Sequence, residues 1–464
     1  MAERIAAVGY VAVGKQTNST TPIAPTIFTP YYKQSLQTLM NVIEDNPVYG
    51  GKFKAYQALP GQRAHKGSLT VMAEPNSIGQ WFDMLLTKST SVGLYTFTVT
   101  SANATIGATF SNNSQTFTVV GTITAGTTLV CTGTGAPTAS GTLTKVTGTG
   151  DATITFSAFS LTSTQHTFGL SSTTDPNSYT LDVSLGSQVY RYWGVQANKV
   201  VPNWQGDEMQ LEVGVSALGA FQGRSIATVV TTTLTLDTSY DPAPNKGLVV
   251  GDLVRIEKVD GSSTLDTTIA TVNSDGITVT LAASAAAFAA GDMIVLRPAT
   301  PSLSVLTPFL WPKTQYFFSA DAATALTSSA TPSNQTRLEQ GVSLDIMHDF
   351  ASDDGSGRSG SFDPASLIRT RGDYSFKIKQ FFDTPADLKS WLNLTKKACV
   401  MRAYSGANNQ YEFRVTMNNL KLKTENMPTA SDEVIYQEQE FATSYDPTDG
   451  VGITVTINNA NATI

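Results

Sequence analysis

Charge is scarce in this chain: Asp, Glu, Lys and Arg supply 14% of its 464 residues, against about a quarter in a typical soluble domain. The balance is acidic, net −7, and no cluster of five or more basic residues occurs. Tight nucleic-acid binding by phosphate neutralisation is therefore not expected, although passive contact with DNA is compatible with this balance. Cysteine is nearly absent. Cys131 and Cys399 lie far apart without a CxxC spacing, so neither a disulfide framework nor a zinc site is expected, and both read as small apolar fillers. The three histidines, His65, His166 and His348, are isolated from acidic or cysteine neighbours at metal-ligand spacing, and scattered members do not make a Ser-His-Asp triad. No apolar run approaches the length of a membrane span. The N-terminal IAAVGYVAVG is short, follows Glu3 and Arg4, and lacks an A-x-A-like cleavage site, which argues against a signal peptide.

Thr, Ser, Ala, Gly and Asn fill the gap, with Val/Thr/Tyr/Phe runs between Gly and Pro punctuation. That composition reads as mainly β structure, and the length suggests roughly two to four domains. Weakly charged polar surfaces of this kind suit a protein that packs against copies of itself, and a secreted β protein shows the same bias.

The clearest local pattern is GSLTVMAEPNSIGQWFDMLLT, Gly67 to Thr87. Period-2 alternation gives way to helical spacing at Trp81, Met84 and Leu85, behind Ser77 as N-cap. A second copy is YSFKIKQFFDTPADLKSWLNLT, Tyr374 to Thr395, where at constant offset Leu69 falls on Phe376, Val71 on Ile378 and Ser77 on Thr384. Its helix would carry Leu388, Trp391 and Leu392. The echo continues in order: Val195–Val200 (VQANKV) with Val415–Leu420 (VTMNNL), and Asp207–Glu212 (DEMQLE) with Asp432–Gln437 (DEVIYQ). Ordered matches of this kind indicate a duplicated unit. Trp81, Leu85, Leu388, Trp391 and Leu392 are expected in the cores beneath the two helices.

Along the chain, residues 1–34 read as an extended arm. Ser35–Glu44, with Leu36, Leu39, Met40 and Ile43 on one face, predicts a short helix ended by Pro47. Strands Val48–Leu59 and Ser68–Met72 are expected around a hairpin turn, PGQRAHKG. The first unit thus covers 1–94 and 169–226. It is interrupted by a Thr/Gly-rich block at 95–168, nearly free of charge, which reads as a small inserted β-sandwich. Residues 227–298, with VVGDLVRIEKV and FAAGDMIVLRP, read as an inserted small β-barrel. The second unit covers 299–464 and includes a long loop from Phe350 to Arg371.

Chemistry is sparse. GYVAVGKQ, Gly9 to Gln16, fits GxxxxGK but has Gln16 where a P-loop needs Ser or Thr, and no helix is expected after it. The acidic loop ASDDGSGRSGSFD lacks calcium-loop spacing and reads as a solvated contact loop. No catalytic residue, cofactor or metal ligand is expected.

The order of arm, strand, hairpin, strand, amphipathic helix and antiparallel strands resembles the tail tube proteins of long-tailed bacteriophages. AEPNSIGQWFDMLL and QVYRYWGVQANKVVPNWQGDEMQLEVGVSALG carry the likeness. The resemblance implies duplicated antiparallel β-sandwich or barrel-forming units in a non-enzymatic virion protein, assembled in the host cytoplasm. It also implies stacked rings around a channel for DNA during ejection, with other tail proteins at the tube ends and a tape-measure protein in the lumen. One-unit family members form hexameric rings, so two units per chain imply a pseudo-hexameric trimer. Candidate contacts within and between rings are the arm, Gln62, Arg63, His65 and Lys66 in the turn, and Asp353, Asp354, Arg358, Asp363, Arg369 and Arg371 in the later loop. A bacterial surface or adhesion protein of small β-domains, or a carbohydrate-binding virion protein, are the alternative readings.

Overall fold

Strand pairing dominates the chain, as its alternating apolar pattern requires: the computed structural model is mainly β. It describes residues 9–45, 57–105, 107–120, 123–169, 175–239, 241–303, 306–328, 336, 342–350, 363–381, 393, 395–406, 410–426, 436–443 and 452–461. The chain opens with β1 (Tyr10–Lys15), β2 (Ile27–Gln34), β3 (Gln37–Asp45), β4 (Gln57–Met72) and helix α1 (Ile78–Leu85). Then come β5 (Thr87–Ala104), β6 (Thr109–Asn112), β7 (Gln115–Val119), β8 (Ile123–Gly133), β9 (Gly141–Thr147) and β10 (Thr153–Gly169). The first unit resumes with β11 (Tyr179–Ser184), β12 (Val189–Gln205), β13 (Glu208–Ala217) and β14 (Gly219–Phe221). A further block holds β15 (Arg224–Val230), β16 (Thr233–Leu236), β17 (Leu253–Glu257), β18 (Thr264–Val272), β19 (Thr278–Leu281) and β20 (Met293–Leu296). The second unit contains β21 (Thr314–Ser319), helix α2 (Ala322–Ser328), β22 (Ser343–Phe350), β23 (Arg369–Phe381), β24 (Lys397–Ser405), β25 (Tyr411–Asn426), β26 (Tyr436–Thr443) and β27 (Ile453–Asn459).

In the first unit, antiparallel ladders run β1–β2–β4–β13–β12–β11 and back to β1, closing a circuit, while the far halves of the long strands β4 and β12 carry further pairings with β3 and β22. Alternation sets which face is inside: Met209, Leu211, Val213 and Val215 of β13 are buried while the residues between them are partly exposed. Gly67 marks a close approach. A Cβ there would lie 2.5 Å from the Ser35 carbonyl oxygen, so only glycine lets the β2–β3 connection cross β4.

Three local expectations are corrected. From Tyr10 onward the N-terminal stretch is not a projecting arm: β1 pairs with β2 and β11, β2 pairs with β4, and Val11 and Val13 are buried in the core. Ser35–Glu44 is not helical: Gln37–Asp45 is β3, paired residue by residue along β4 from Gln37↔Lys66 to Asp45↔Gln57. The apolar spacing fitted either state, and cross-strand pairing decided it. PGQRAHKG is not a hairpin turn either, because β4 runs straight through it. Its Pro60 sits at a register shift, where Gly61 and Gln62 oppose the single residue Asn41; a bulge accommodates the missing proline N–H. Helix α1 follows β4 directly behind Ser77, and all eight of its residues are buried. The Ser77 hydroxyl makes no cap bond; the Glu74 carbonyl instead accepts from the N–H groups of Ser77 and Ile78.

Each inserted block closes on itself. Ladders join β5–β8–β7–β6–β9–β10 and return to β5 around Phe97, Phe110, Phe117 and Phe156, a closed barrel where two packed sheets were expected. Its stem strands begin at Thr87 and end at Gly169, so they also belong to the host sheet. The second block closes as β15–β16–β19–β18–β17–β20 around Leu234, Val254, Ile256, Val279 and Ile294.

The second unit repeats the pairing order of the first. Antiparallel ladders β22–β23, β23–β26, β26–β25, β25–β24 and β24–β21 stand where the first unit has β2–β4, β4–β13, β13–β12, β12–β11 and β11–β1. Both β12 and β25 are long strands that change partners midway. The first half of each pairs with a later strand, β14 or β27, and the second half with β13 or β26. Val213 pairs with Leu69 and Val200, and Phe441 pairs with Phe376 and Leu422. The ladders therefore put Leu422, not Leu420, at the place of Val200, and Phe441, not Glu438, at that of Val213. Bulges at different points of β12 and β25 account for the slip from the sequence echo. The expected second helix, with Leu388, Trp391 and Leu392, lies outside the described residues. One core spans both units, from Trp81, Phe82 and Val213 to Phe309, Phe413 and Ile457.

Candidate assembly interface

The joint between the two units combines strand pairing, helix packing and side-chain hydrogen bonds. On one side β12 pairs with β22, Lys199 opposite Met347 and Val200 opposite Ile346. On the other, β10 pairs with β27 from Thr164↔Asn459 to Gly169↔Thr454. Between them α1 packs across, with the Phe82 and Phe413 rings 5.4 Å apart. The first pairing makes one continuous sheet in the order β25–β26–β23–β22–β12–β13–β4–β3.

Arg369 clamps this joint. From the start of β23 its Nη1 donates to the Leu85 carbonyl (2.9 Å), and its Nη2 to the carbonyls of Met84 (2.6 Å) and Ala197 (2.7 Å). Nε reaches Gln196 Oε1 at 3.4 Å, and the guanidinium lies 5.5 Å from the Phe350 ring centre. The C-terminal carbonyls of α1 present the negative end of the helix dipole, which a planar fork of donors suits. Burial pushes the Arg369 pKa down to about 10, opposed by Asp175, and the group remains cationic at neutral pH.

The chain's end adds amide contacts. Asn459 Nδ2 donates to the Pro75 carbonyl (3.1 Å) and Asn461 Nδ2 to that of Asn76 (2.8 Å). His166 is fully buried, with Nδ1 2.6 Å from Ser91 Oγ and Nε2 3.2 Å from Asn459 Oδ1.

The other expected contact residues fall in different places. Gln62, Arg63, His65 and Lys66 are on β4, not in a turn. His65 is buried, with Nδ1 2.9 Å from Thr38 Oγ1 and Nε2 3.1 Å from Asp363 Oδ1. Arg63 Nη1 stands 3.8 Å from the same carboxylate. Burial opposes ionisation of Asp363, yet the hydrogen bond and charge of His65, with Arg63, hold its pKa below the ordinary value. Thr38, Arg63 and His65 line a cavity of about 490 Å³ together with Arg224 and Asp241, themselves paired at 2.9 Å. Asp353, Asp354 and Arg358 lie outside the described residues, as does the side chain of Arg371. Trp81 and Leu85 are buried in α1.

Some residues that matter here carry little sequence signal. Arg191 of β12 is buried between two carboxylates: Nε and Nη2 donate to Asp182 (2.7 and 2.8 Å), and Nη1 donates to Asp252 of the second barrel (2.6 Å). Burial raises the pKa of Asp182, and Arg191 opposes the rise. The triad fastens the barrel to the first unit. A charged residue inside the aromatic run QVYRYWG was its one visible sign. Lys15, the lysine of GYVAVGKQ, ends a strand and pairs with the buried Asp83 carboxylate of α1 at 2.8 Å. Asp83 also accepts from Tyr179 Oη (2.6 Å) and Asn177. Since β1 is an extended strand, its backbone forms no phosphate cradle.

Glu74, between β4 and α1, is buried and its Oε2 has no hydrogen-bond partner. Burial raises its pKa from 4.5 to about 7. The folded state therefore favours the protonated acid, and this contribution is full below about pH 4.5 and lost as pH rises through 7. Glu74→Gln is expected to stabilise the protein at pH 8 by about 1–3 kcal/mol and to change little at pH 4. Urea unfolding at both pH values measures this; equal effects at the two would contradict it.

Burial raises the pKa of both free thiols, Cys131 to about 12. Among the described residues, no group of three His, Cys, Asp or Glu could hold a metal ion, and no helix is long and apolar enough to cross a membrane. No protein-family model matches the chain, and no curated protein matches it.

Proposed function

We propose that the chain is a structural, non-catalytic subunit of a bacteriophage tail tube, assembling as stacked rings that form the channel for DNA during ejection. The observation that carries this reading is the repeated ladder order, with two units already joined edge to edge by β12 and β22. A continuous sheet with an edge at each end extends by adding copies, and a head-to-tail series closes when the rotation per unit divides a full turn. Two units per chain give a pseudo-sixfold ring from three chains. The net charge of −7 suits a channel that DNA passes without being held. The barrels formed by β5–β10 and β15–β20 decorate the outside of the ring. Other tail proteins meet the tube at its ends, and a tape-measure protein occupies the lumen before ejection.

Electron microscopy of the purified protein at high concentration tests the reading. Hollow rings or tubes with threefold or pseudo-sixfold symmetry are expected. A persistently monomeric, elongated particle would support instead a surface or adhesion protein of small β-domains.

A further inference from the structure

The two ends of the continuous sheet differ from its middle in one respect. At the internal joint, Val200 and Lys199 of β12 meet Ile346 and Met347 of β22. Through the ladders, Val200 and Lys199 correspond to Leu422 and Lys421 of β25, since each pair faces Val213 and Gly214 or Phe441 and Ala442. On the other side, Ile346 and Met347 face Tyr374 and Asp373. Their counterparts are Leu36, which crosses β4 at Gly67, and Gln37, which faces Lys66. Among the described residues, β3 pairs only with β4, and the second half of β25 beyond Leu420 pairs only with β26.

We propose that copies of this chain join by reproducing the internal joint: Leu422 and Lys421 of one copy pair with Leu36 and Gln37 of the next. This inference rests on the reading of the chain as a ring subunit and names the surface that makes the ring.

Three observations support it. Lys199 and Met347 are partly buried in the joint, whereas Lys421 and Gln37 are exposed in the lone chain. The β2–β3 edge also displays three large apolar side chains, Tyr32, Leu39 and Met40, at 49%, 41% and 45% exposure, and edge strands of this kind invite pairing with another chain. Last, Arg63 occupies the ladder place of Arg369: it stands opposite Met40 as Arg369 stands opposite Phe350. The edge that docks in the internal joint and the edge left over thus carry an arginine at the same position.

Directly opposed residues of an antiparallel pair are within disulfide reach. Gln37→Cys and Lys421→Cys are prepared as separate full-length variants, mixed, allowed to assemble and oxidised. The native thiols are buried. A two-chain band on a non-reducing gel is expected from the mixture, at least tenfold stronger than from either variant alone. The double variant should give a three-chain species. Gln37→Cys mixed with Val259→Cys, a site at 80% exposure on the second barrel, serves as the control. Rings without a cross-link above the control would overturn this joint and leave the ring reading intact. Cross-linked pairs in preparations that never form rings would support the joint and overturn the ring reading. Absence of both rings and cross-links would overturn both.

Discussion

Arg369→Ala is expected to lower the free energy of unfolding by about 3–5 kcal/mol and to free the end of α1 from the second unit. The side chain donates to three buried carbonyls, those of Met84, Leu85 and Ala197. Alanine leaves all three without that donor, and an unmet buried acceptor costs about 1–3 kcal/mol. Against this stands the relief of a buried cation, which the lowered pKa of Arg369 registers, so the sum of three carbonyls overstates the net loss. Arg369→Lys tests the geometry: it keeps the charge, loses the fork, and should recover under half of the deficit. Urea unfolding gives the free energy, and amide exchange in the last turn of α1 locates the loss. A deficit under about 1 kcal/mol would mean that strand pairing and the shared core hold the units without the clamp.

The second large effect is expected from Arg191→Ala, again about 3–5 kcal/mol. Removing the guanidinium leaves Asp182 and Asp252 buried without their shared cation. Burial already raises the folded pKa of Asp182, and without Arg191 to oppose it the protonated form is favoured further. The variant therefore keeps most of its stability at low pH and loses it as pH rises through that folded value. The deficit relative to the parent protein should be largest near pH 7–8 and shrink toward pH 4. Replacing Arg191, Asp182 and Asp252 together by apolar residues of similar volume should restore most of it. A deficit independent of pH would show that Arg191 acts by packing alone.

How much of this was legible in the sequence depends on where each signal lies. The alternation of β13 and the switch from β4 to α1 are local, set by side chains a few residues apart, and they read correctly as strand and helix. β3 did not, since Leu36, Leu39, Met40 and Ile43 fit a helical face and only the ladder with β4 shows Gln37–Asp45 as strand. PGQRAHKG has the composition of a turn, but a bulge at Pro60 carries the strand onward. The repeat was visible as an ordered echo, yet its register in the later strands was off because bulges shift residues without leaving a mark in composition. Closure of the first block into a barrel is a matter of which edges meet, β5 with both β8 and β10, and alternation says nothing of that. The Arg369 clamp was beyond reach for a different reason: its partners are main-chain carbonyls, which every residue possesses. Proximity to other charged residues placed Arg369 in an exposed contact loop, whereas it is partly buried and its hydrogen bonds are internal to the chain.

The central claim is that one chain supplies two ring positions. Counting chains per assembled ring, by native mass measurement of rings whose symmetry is seen in the microscope, tests it most directly. The account predicts three chains per ring with six similar lobes around the channel. Six chains per ring, or a monomer that stays single at concentrations where the β25 and β3 edges should meet, would contradict it.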